Sequence, residues 1–352
     1  MKALRVIRGE AGAHLVDVPV PVPRDDEVLI QVTAAGLCGT DVQAAFRPEA
    51  RLITRPELTL GHEPAGRIVA LGGAVRGWAT GDRVAVSSIV ICGRCHLCSQ
   101  GMSEICARGS IIGLNHDGAV AEYMTAPAVN LVRLPDAVTD EVGAILTDAI
   151  PTPFHALYQR GRLQPGETVA VFGVGGLGQH AVQLAKAFGA ARIIAVDIRA
   201  EQLEHARSLG ADHAFRADDE KLGDRIREAN GGRGVDLAGV FVGSSAAIAA
   251  AFRSVGKGGR MVVVGLTDDD LVLPPSAALA RREISIIGSG GFRLDTIEQL
   301  VALVAAGRLD FSRSVSHVLG LDEAESALDL LRGHDGSVRR VVVAPNGEGL
   351  GP

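Results

Sequence analysis

The stretch from Thr168 to Gly189 constrains this chain more than any other. It opens as a short apolar strand, Thr168 to Phe172, and turns through Gly173, Gly175 and Gly178 in G-x-G-x-x-G spacing. Ala181, Leu184, Ala185 and Phe188 then recur at helical intervals. A second apolar run, Arg192 to Val196, ends at Asp197. The glycine pattern carries meaning in this setting of strand, turn, helix and strand. Gly173 permits a tight turn, Gly175 lets the backbone approach a pyrophosphate, and Gly178 lets the helix pack on the strand. Gly176 and Leu177 complete the turn, and the helix N-terminus supplies free N–H groups for phosphate. Asp197 lies about 20 residues beyond Gly178, where an acid accepts hydrogen bonds from the adenosine ribose of NAD and repels the 2′-phosphate of NADP. Arg199 stands close enough in sequence to meet such a phosphate. NAD is the expected ligand; the alternative is a set of glycines that serve only a tight strand-to-helix turn.

At 352 residues the chain is too long for one small core, so two domains are expected. A formal net charge of −6 provides no basic field, which argues against nucleic acid as a partner. No apolar run approaches the ~18 residues of a membrane helix. The first residues, Met1 to Arg8, carry charges every few positions and do not read as a signal peptide. A cytoplasmic location is therefore expected.

Residues 1–35 alternate apolar and polar side chains around the proline run Pro19 to Pro23, and residues 60–92 are strand-like and punctuated by glycine. A βαβ alternation begins near residue 150. Its candidate strands are 168–172, 192–197, 235–242, 260–265 and 284–288, with helices such as Ala200 to Leu209 and Ala246 to Val255 between them. This spacing predicts a parallel, doubly wound sheet. A helix from Leu294 to Ala306 and a strand from Val338 to Val343 follow, and these last residues are expected to return to the first domain.

Four of the five cysteines fall within one short loop, Cys92-x2-Cys95-x2-Cys98-x7-Cys106. In a reducing compartment this pattern suggests metal, not disulfides. Four thiolates close a tetrahedral zinc site with no open position, which makes it structural. An iron–sulfur cluster is the alternative by residue type, although the spacing differs from the ferredoxin runs. His96 is surplus to a complete four-Cys set. Cys38, in Gly36-Leu-Cys-Gly-Thr-Asp41, and His62, in Gly61-His-Glu-Pro-Ala-Gly66, each follow a strand-like run. A thiolate and an imidazole make half of a zinc set. Taken singly, each has a plainer reading, a small buried hydrophobe and a satisfied polar group.

The order of these features is informative. The Cys38-Gly-Thr-Asp41 loop, Gly61-His-Glu-x2-Gly66-x5-Gly72, Gly81-Asp-Arg-Val, the four-Cys loop and the glycine turn all occur in one chain. Together they resemble the zinc-containing medium-chain alcohol dehydrogenase family, over nearly the whole sequence. The resemblance implies an α/β protein, a GroES-like β-rich catalytic domain plus a Rossmann doubly wound parallel sheet, with the active site in the cleft between them. The implied boundaries are a catalytic domain at 1–149 with the zinc lobe at 92–106, a Rossmann domain at 150–288, and a return to the catalytic domain at 289–352. It also implies a third catalytic zinc ligand before the nicotinamide-contacting segment. Many members have Cys there; here Leu146-Thr-Asp148 offers Asp148, as in some bacterial secondary-alcohol dehydrogenases, with a helix-capping Asp as the plainer alternative. Cys38 and Asp148 would neutralise Zn²⁺ as two thiolates do. Glu63 resembles the family glutamate that approaches the metal, and Asp41 the carboxylate that orients the ligand histidine.

The same matching gives Thr40 the proton-relay hydroxyl. Val42 and Gln43 stand where many relatives place a terminal histidine, so the proton would leave by water or another group. Thr152, Val242, Gly265, Leu266 and Ser289 are implied to line the cofactor and Arg340 to reach its pyrophosphate; His155 is read as structural. The implied chemistry is reversible hydride transfer between NAD(H) and an alcohol or ketone, with zinc as the Lewis acid. A secondary alcohol is the preferred substrate class. Ser289-Gly290-Gly291 leaves room for a bulky one or merely shapes a turn, and Phe46 and Leu114 are possible apolar walls. A polyol or amino-sugar alcohol is the rival class, and direct coordination by Glu63 would favour it. A zinc-free quinone or enoyl reductase and a catalytically silent NAD-binding protein are the further alternatives. Relatives form homodimers or homotetramers, and the same is expected here.

Overall fold

The computed structural model describes residues 1–47, 52–271, 275–333 and 338–347. They form two compact units, Met1–Pro151 with Gly291–Pro352, and Thr152–Gly290. The unit boundaries fall two residues beyond the sequence-based ones at 149 and 288.

The first unit is built around the strand Glu27–Leu37. Val28, Ile30, Val32 and Ala34 alternate inward along it, and from Ala34 to Leu37 every residue is buried. It pairs antiparallel with Glu63–Leu71, with Tyr123–Pro127 and with the late strand Arg340–Ala344. Beyond these, Arg83–Val86 extends the sheet on one side and Val315–Gly320, parallel to Arg340–Ala344, on the other. Register decides the site: Gly36 lies opposite Glu63, and Leu37 opposite Val341. The segments just after Leu37, just before Glu63 and at Arg340 therefore meet at one end of the sheet, although 277 residues separate Glu63 from Arg340. The apolar face packs on a core that includes Leu4, Ile30, Leu58, Ile68 and Val341.

The second unit is one six-stranded parallel sheet. Its spatial order is His213–Arg216, Arg192–Asp197, Thr168–Phe172, Val235–Val240, Val255–Val263 and Ser285–Gly288. The order reverses between Thr168–Phe172 and Val235–Val240, so the sheet is doubly wound with its switch point beside the glycine turn. Alternate residues feed two cores: Val169 and Val171 enter one, Ala170 and Phe172 the other.

The structure adds a sixth strand, His213–Arg216, that the periodicity did not reveal. It is four residues of mixed polarity at the sheet edge, too short to show a period. The strand expected at 260–265 begins earlier, at Val255, because Gly256, Gly258 and Gly259 stay within a strand whose register shifts against its neighbour. Among the described residues, no helix is long and apolar enough to cross a membrane.

Candidate metal centre and nucleotide site

Cys38 ends the central strand segment and caps the helix Gly39–Phe46. The fully buried Asp41, in the first turn of that helix, accepts the Cys38 N–H at 2.9 Å and the Gly61 N–H at 3.1 Å. Its Oδ1 also lies 3.2 Å from His62 Nδ1. A carboxylate in this role can only accept, so Nδ1 carries a proton and Nε2 is the nitrogen that can bind a metal once it is deprotonated. His62 Nε2 faces Asp148, 3.6 Å from Oδ2. Cys38, His62, Glu63 and Asp148 each present a ligand atom, and these four atoms lie within 4.8 Å of one another.

Glu63 is fully buried. Its Oε2 accepts from the buried Arg340 guanidinium, while its Oε1 has no hydrogen-bond partner among the described residues. Gly36 makes this possible, since a Cβ there would overlap Glu63 Oε2. Burial pushes the Glu63 carboxyl up to about 7, reinforced by Asp148 and opposed by Arg340 and His62. Burial alone would depress His62, but Asp41, Asp148 and Cys38 outweigh it and hold the imidazole well above its ordinary value. A concentrated set of soft and hard donors around an unpartnered buried carboxylate oxygen fits a divalent metal. Thr40 Oγ1 lies 3.9 Å from Cys38 Sγ, beside the same group.

The other four cysteines also converge. Their sulfurs are separated by 3.4 Å (Cys95–Cys98), 3.8 Å (Cys95–Cys106) and 3.5 Å (Cys92–Cys106). These are close to the ~3.8 Å edge of a tetrahedron with the usual ~2.3 Å Zn–S bonds, and far from the ~2.05 Å of a disulfide. Backbone N–H groups of Cys98 and Ala107 bring the Cys95 thiol down to about 6, whereas burial pushes Cys98 up to about 12. Backbone donors aimed at sulfur suit thiolates held around a cation. His96 is exposed and stands outside the set.

In the second unit the expected nucleotide residues collect at the carboxyl ends of the parallel strands. Gly173 adopts φ +81°, and a Cβ on Gly178 would overlap the Gly173 carbonyl, so helix Gly178–Ala187 packs directly on the turn. Asp197 is buried with both carboxylate oxygens engaged: Oδ2 accepts the Val174 N–H at 2.9 Å and Oδ1 the Arg199 N–H at 3.0 Å. The Arg199 side chain returns towards Asp197, Nε to Oδ1 3.8 Å, and lies over Gly175, where a Cβ would meet Nη2 at 3.7 Å. Gly175 and Gly176 are partly exposed. Val242 packs against Gly173, Gly265 against Val242, and Leu266 is 89 % exposed beyond them. Ser289 holds a buried Oγ with no hydrogen-bond partner among the described residues, and Thr152 is buried at the start of this unit. His155 is buried and hydrogen-bonded to Gln159, in keeping with a structural part.

Two expectations change. Arg340, given to a pyrophosphate, is instead buried in the first unit with its guanidinium on Glu63. Of the residues offered as pocket walls, Leu114 belongs to the core of the first unit, and Phe46 is half-buried against that core, with Arg332 over its ring at 4.2 Å. Of the two readings of Ser289-Gly290-Gly291, room or a turn, Gly291 is in keeping with the turn: it adopts φ +59°, and a Cβ there would lie 2.5 Å from Ile89 Cδ1. The Glu63–Arg340 pair was missed. Its one sequence signal was an arginine opening the fully buried strand Arg340–Ala344.

Four converging cysteines, a buried Cys–His–carboxylate group and a doubly wound sheet with its glycine turn define a zinc-binding, nucleotide-dependent oxidoreductase. The chain belongs to the zinc-containing alcohol dehydrogenase family: residues 24–136 match the alcohol dehydrogenase GroES-like domain and residues 176–306 the zinc-binding dehydrogenase model. It is 33 % identical to a sorbitol dehydrogenase of Bacillus subtilis, over 94 % of this chain and 93 % of that one. It is 31 % identical to an L-threonine 3-dehydrogenase of Pectobacterium carotovorum, over 96 % and 98 %. Among solved structures, an alcohol dehydrogenase from Thermus sp. ATN1 superimposes with a TM-score of 0.90 at 30 % identity, covering 98 % of this chain and 99 % of that one. The family, the GroES-like plus Rossmann fold and the enzyme type expected from the sequence are all met.

Proposed function

We propose that this protein is an NAD(H)-dependent dehydrogenase that interconverts secondary alcohols and ketones at a zinc centre formed by Cys38, His62 and Asp148. The observation that carries this reading is the buried ligand group itself, with the Asp41 carboxylate fixing the His62 tautomer. Cys38 and Asp148 supply two negative charges, which balance a divalent cation. Zinc bound there supplies a Lewis acid for the alcohol oxygen, and bound NAD supplies the hydride acceptor. Thr40, beside Cys38, would relay the hydroxyl proton, accepting it as it passes on its own. Gln43 does not titrate in this range and is exposed, so we route that proton to solvent.

The first unit takes the catalytic role and the second the cofactor role. In the second, Gly173 to Gly178 and the N-terminus of helix Gly178–Ala187 hold the pyrophosphate, and Asp197 the adenosine ribose. Val242, Gly265, Leu266, Ser289 and Thr152 line the remainder. The four-Cys lobe is a structural zinc site. Five unpaired cysteines fit a reducing compartment, the cytoplasm, and a homodimer or homotetramer remains the expected assembly.

A polyol substrate is the second reading. Glu63 stands among the four ligand atoms, and the B. subtilis relative is a sorbitol dehydrogenase. The test combines metal content with a substrate panel. Purified protein should carry about two zincs per chain, and mild chelation should remove one together with NAD reduction by secondary alcohols. Asp148→Ala should lose that same zinc and keep the other. Full activity with one tightly held zinc would remove this mechanism and favour a zinc-free reductase. A strong preference for polyols over simple secondary alcohols would select the second reading.

A further inference from the structure

Gln179 is the second residue of helix Gly178–Ala187 and is buried. Its backbone N–H donates to the Gly175 carbonyl at 3.1 Å. Its side-chain Nε2 donates to the Gly176 carbonyl at 3.4 Å. One residue thus holds two consecutive carbonyls of the glycine turn. In a trans peptide the C=O and the following N–H point in opposite directions. Drawing the Gly175 and Gly176 carbonyls towards Gln179 therefore turns the N–H groups of Gly176 and Leu177 the other way. Successive N–H groups presented together in this manner make an anion-binding concavity.

The side-chain half of this arrangement depends on which way the amide faces. Gly176 O can only accept, so the NH₂ of Gln179 must face it and Oε1 must face away. Oε1 lies 3.2 Å from Nε2 of His205, in the neighbouring helix Ala200–Leu209. The imidazole therefore carries its proton on Nε2. Ser208 Oγ lies 3.4 Å from the other ring nitrogen, Nδ1, and donates to the His205 carbonyl at 2.7 Å. Nε2 keeps its proton in the neutral tautomer and in the imidazolium alike, so the orientation of the amide does not depend on ionisation of His205.

We propose that Gln179 and His205 are positioning residues for the diphosphate of the dinucleotide: His205 fixes the Gln179 amide, and Gln179 aims the N–H groups of Gly176 and Leu177 at the phosphates. The inference rests on the cofactor reading above and adds two residues to it. Neither is needed to touch the nucleotide.

The test uses the zinc-loaded enzyme with NADH, ADP-ribose and adenosine as probes, and binding is followed by fluorescence and by competition. Gln179→Leu should weaken NADH and ADP-ribose about tenfold or more, on the scale of hydrogen bonds to charged groups, and leave adenosine within about twofold. His205→Leu should give a smaller loss of the same kind, about threefold to fivefold, and His205→Gln, which keeps an N–H donor, should restore most of it. KM for NAD should rise in Gln179→Leu while KM for the alcohol stays put. Equal losses for adenosine and ADP-ribose would mean general damage to the unit and would overturn the proposal, as would unchanged NADH affinity. If the wild-type enzyme itself binds neither NADH nor ADP-ribose, the cofactor reading fails and the proposal fails with it.

Discussion

Arg340 and Glu63, 277 residues apart in the chain, form a buried ion pair whose carboxylate also belongs to the candidate metal centre. The arginine side chain is 2 % exposed and the glutamate 0 %. Removing one member of such a pair strands the other charge in a low dielectric, which typically costs about 3–5 kcal/mol. Arg340→Met should lose about that much stability in urea unfolding of the metal-saturated protein. The double variant with Glu63→Gln should regain more than half of it. Strictly additive losses in the double-mutant cycle would show that the two groups are not energetically coupled.

Protons must leave this centre when a metal enters. In the metal-free protein His62 is held well above its ordinary value, and Glu63 is pushed up to about 7. Ligand nitrogen and carboxylate must be unprotonated to bind, so zinc uptake should release about one proton or more per ion near pH 6 and tighten as pH rises towards 8. The stability of the metal-free protein should move the other way. Both groups bind protons more tightly folded than unfolded, so their stabilising contribution is full below the unfolded values. It is lost as pH rises, through about 7 for Glu63 and through the raised folded value of His62. Calorimetric titration of chelated protein in two buffers of different ionisation heat measures the first effect. Thermal melts from pH 5 to pH 8 measure the second, and a melting temperature that rises with pH would contradict it.

The four-Cys lobe makes an independent prediction. Cys106 Sγ is close to both Cys92 and Cys95 and accepts the Cys92 N–H at 3.4 Å. Cys106→Ser should cut zinc from about two to about one per chain and lower the melting temperature by roughly 3–4 °C, as a loss of about 2–3 kcal/mol would in a chain of this length. The remaining zinc should be the one that chelators remove with activity. Retention of both metals would show that the lobe closes without Cys106.

What could be read from the sequence follows from distance along the chain. The glycine turn and the four cysteines are local, so spacing carried their geometry directly. Cys38, His62 and Arg340 are brought together by strand register, Gly36 opposite Glu63 and Leu37 opposite Val341, and Asp148 joins them from the turn after the helix Asp140–Ile145, an arrangement that no single segment encodes. The first three came to notice by resemblance, and the Glu63–Arg340 contact did not come at all. Phe46, at the end of a short helix, and Leu114, in a turn, pack with the core, and this is not legible because an apolar residue at such a place does not disclose which side of the backbone the core lies on. The strand His213–Arg216 was lost because four residues of mixed polarity show no period.

Selectivity between NAD and NADP should turn on two neighbours that oppose each other. Asp197 uses one oxygen to hold the Val174 N–H of the glycine turn and the other to hold the Arg199 N–H. The Arg199 side chain, 32 % exposed, lies beside that carboxylate and over Gly175. While the acid is present, a 2′-phosphate meets a negative charge already braced by protein donors. Without it, the guanidinium is left as an unopposed cation at the same place. Asp197→Ala should therefore lower the NAD:NADP ratio of kcat/KM by about tenfold or more, the effect of roughly 1.4 kcal/mol. Arg199→Ala should raise that ratio, and the double variant should fall between the two. Asp197→Asn removes the charge but keeps an oxygen that can accept the Val174 N–H, so it separates selectivity from support of the turn. If Asn shifts the ratio as far as Ala while NADH still binds tightly, charge is the cause. If the ratio stays unchanged in both, selectivity lies elsewhere in the nucleotide site.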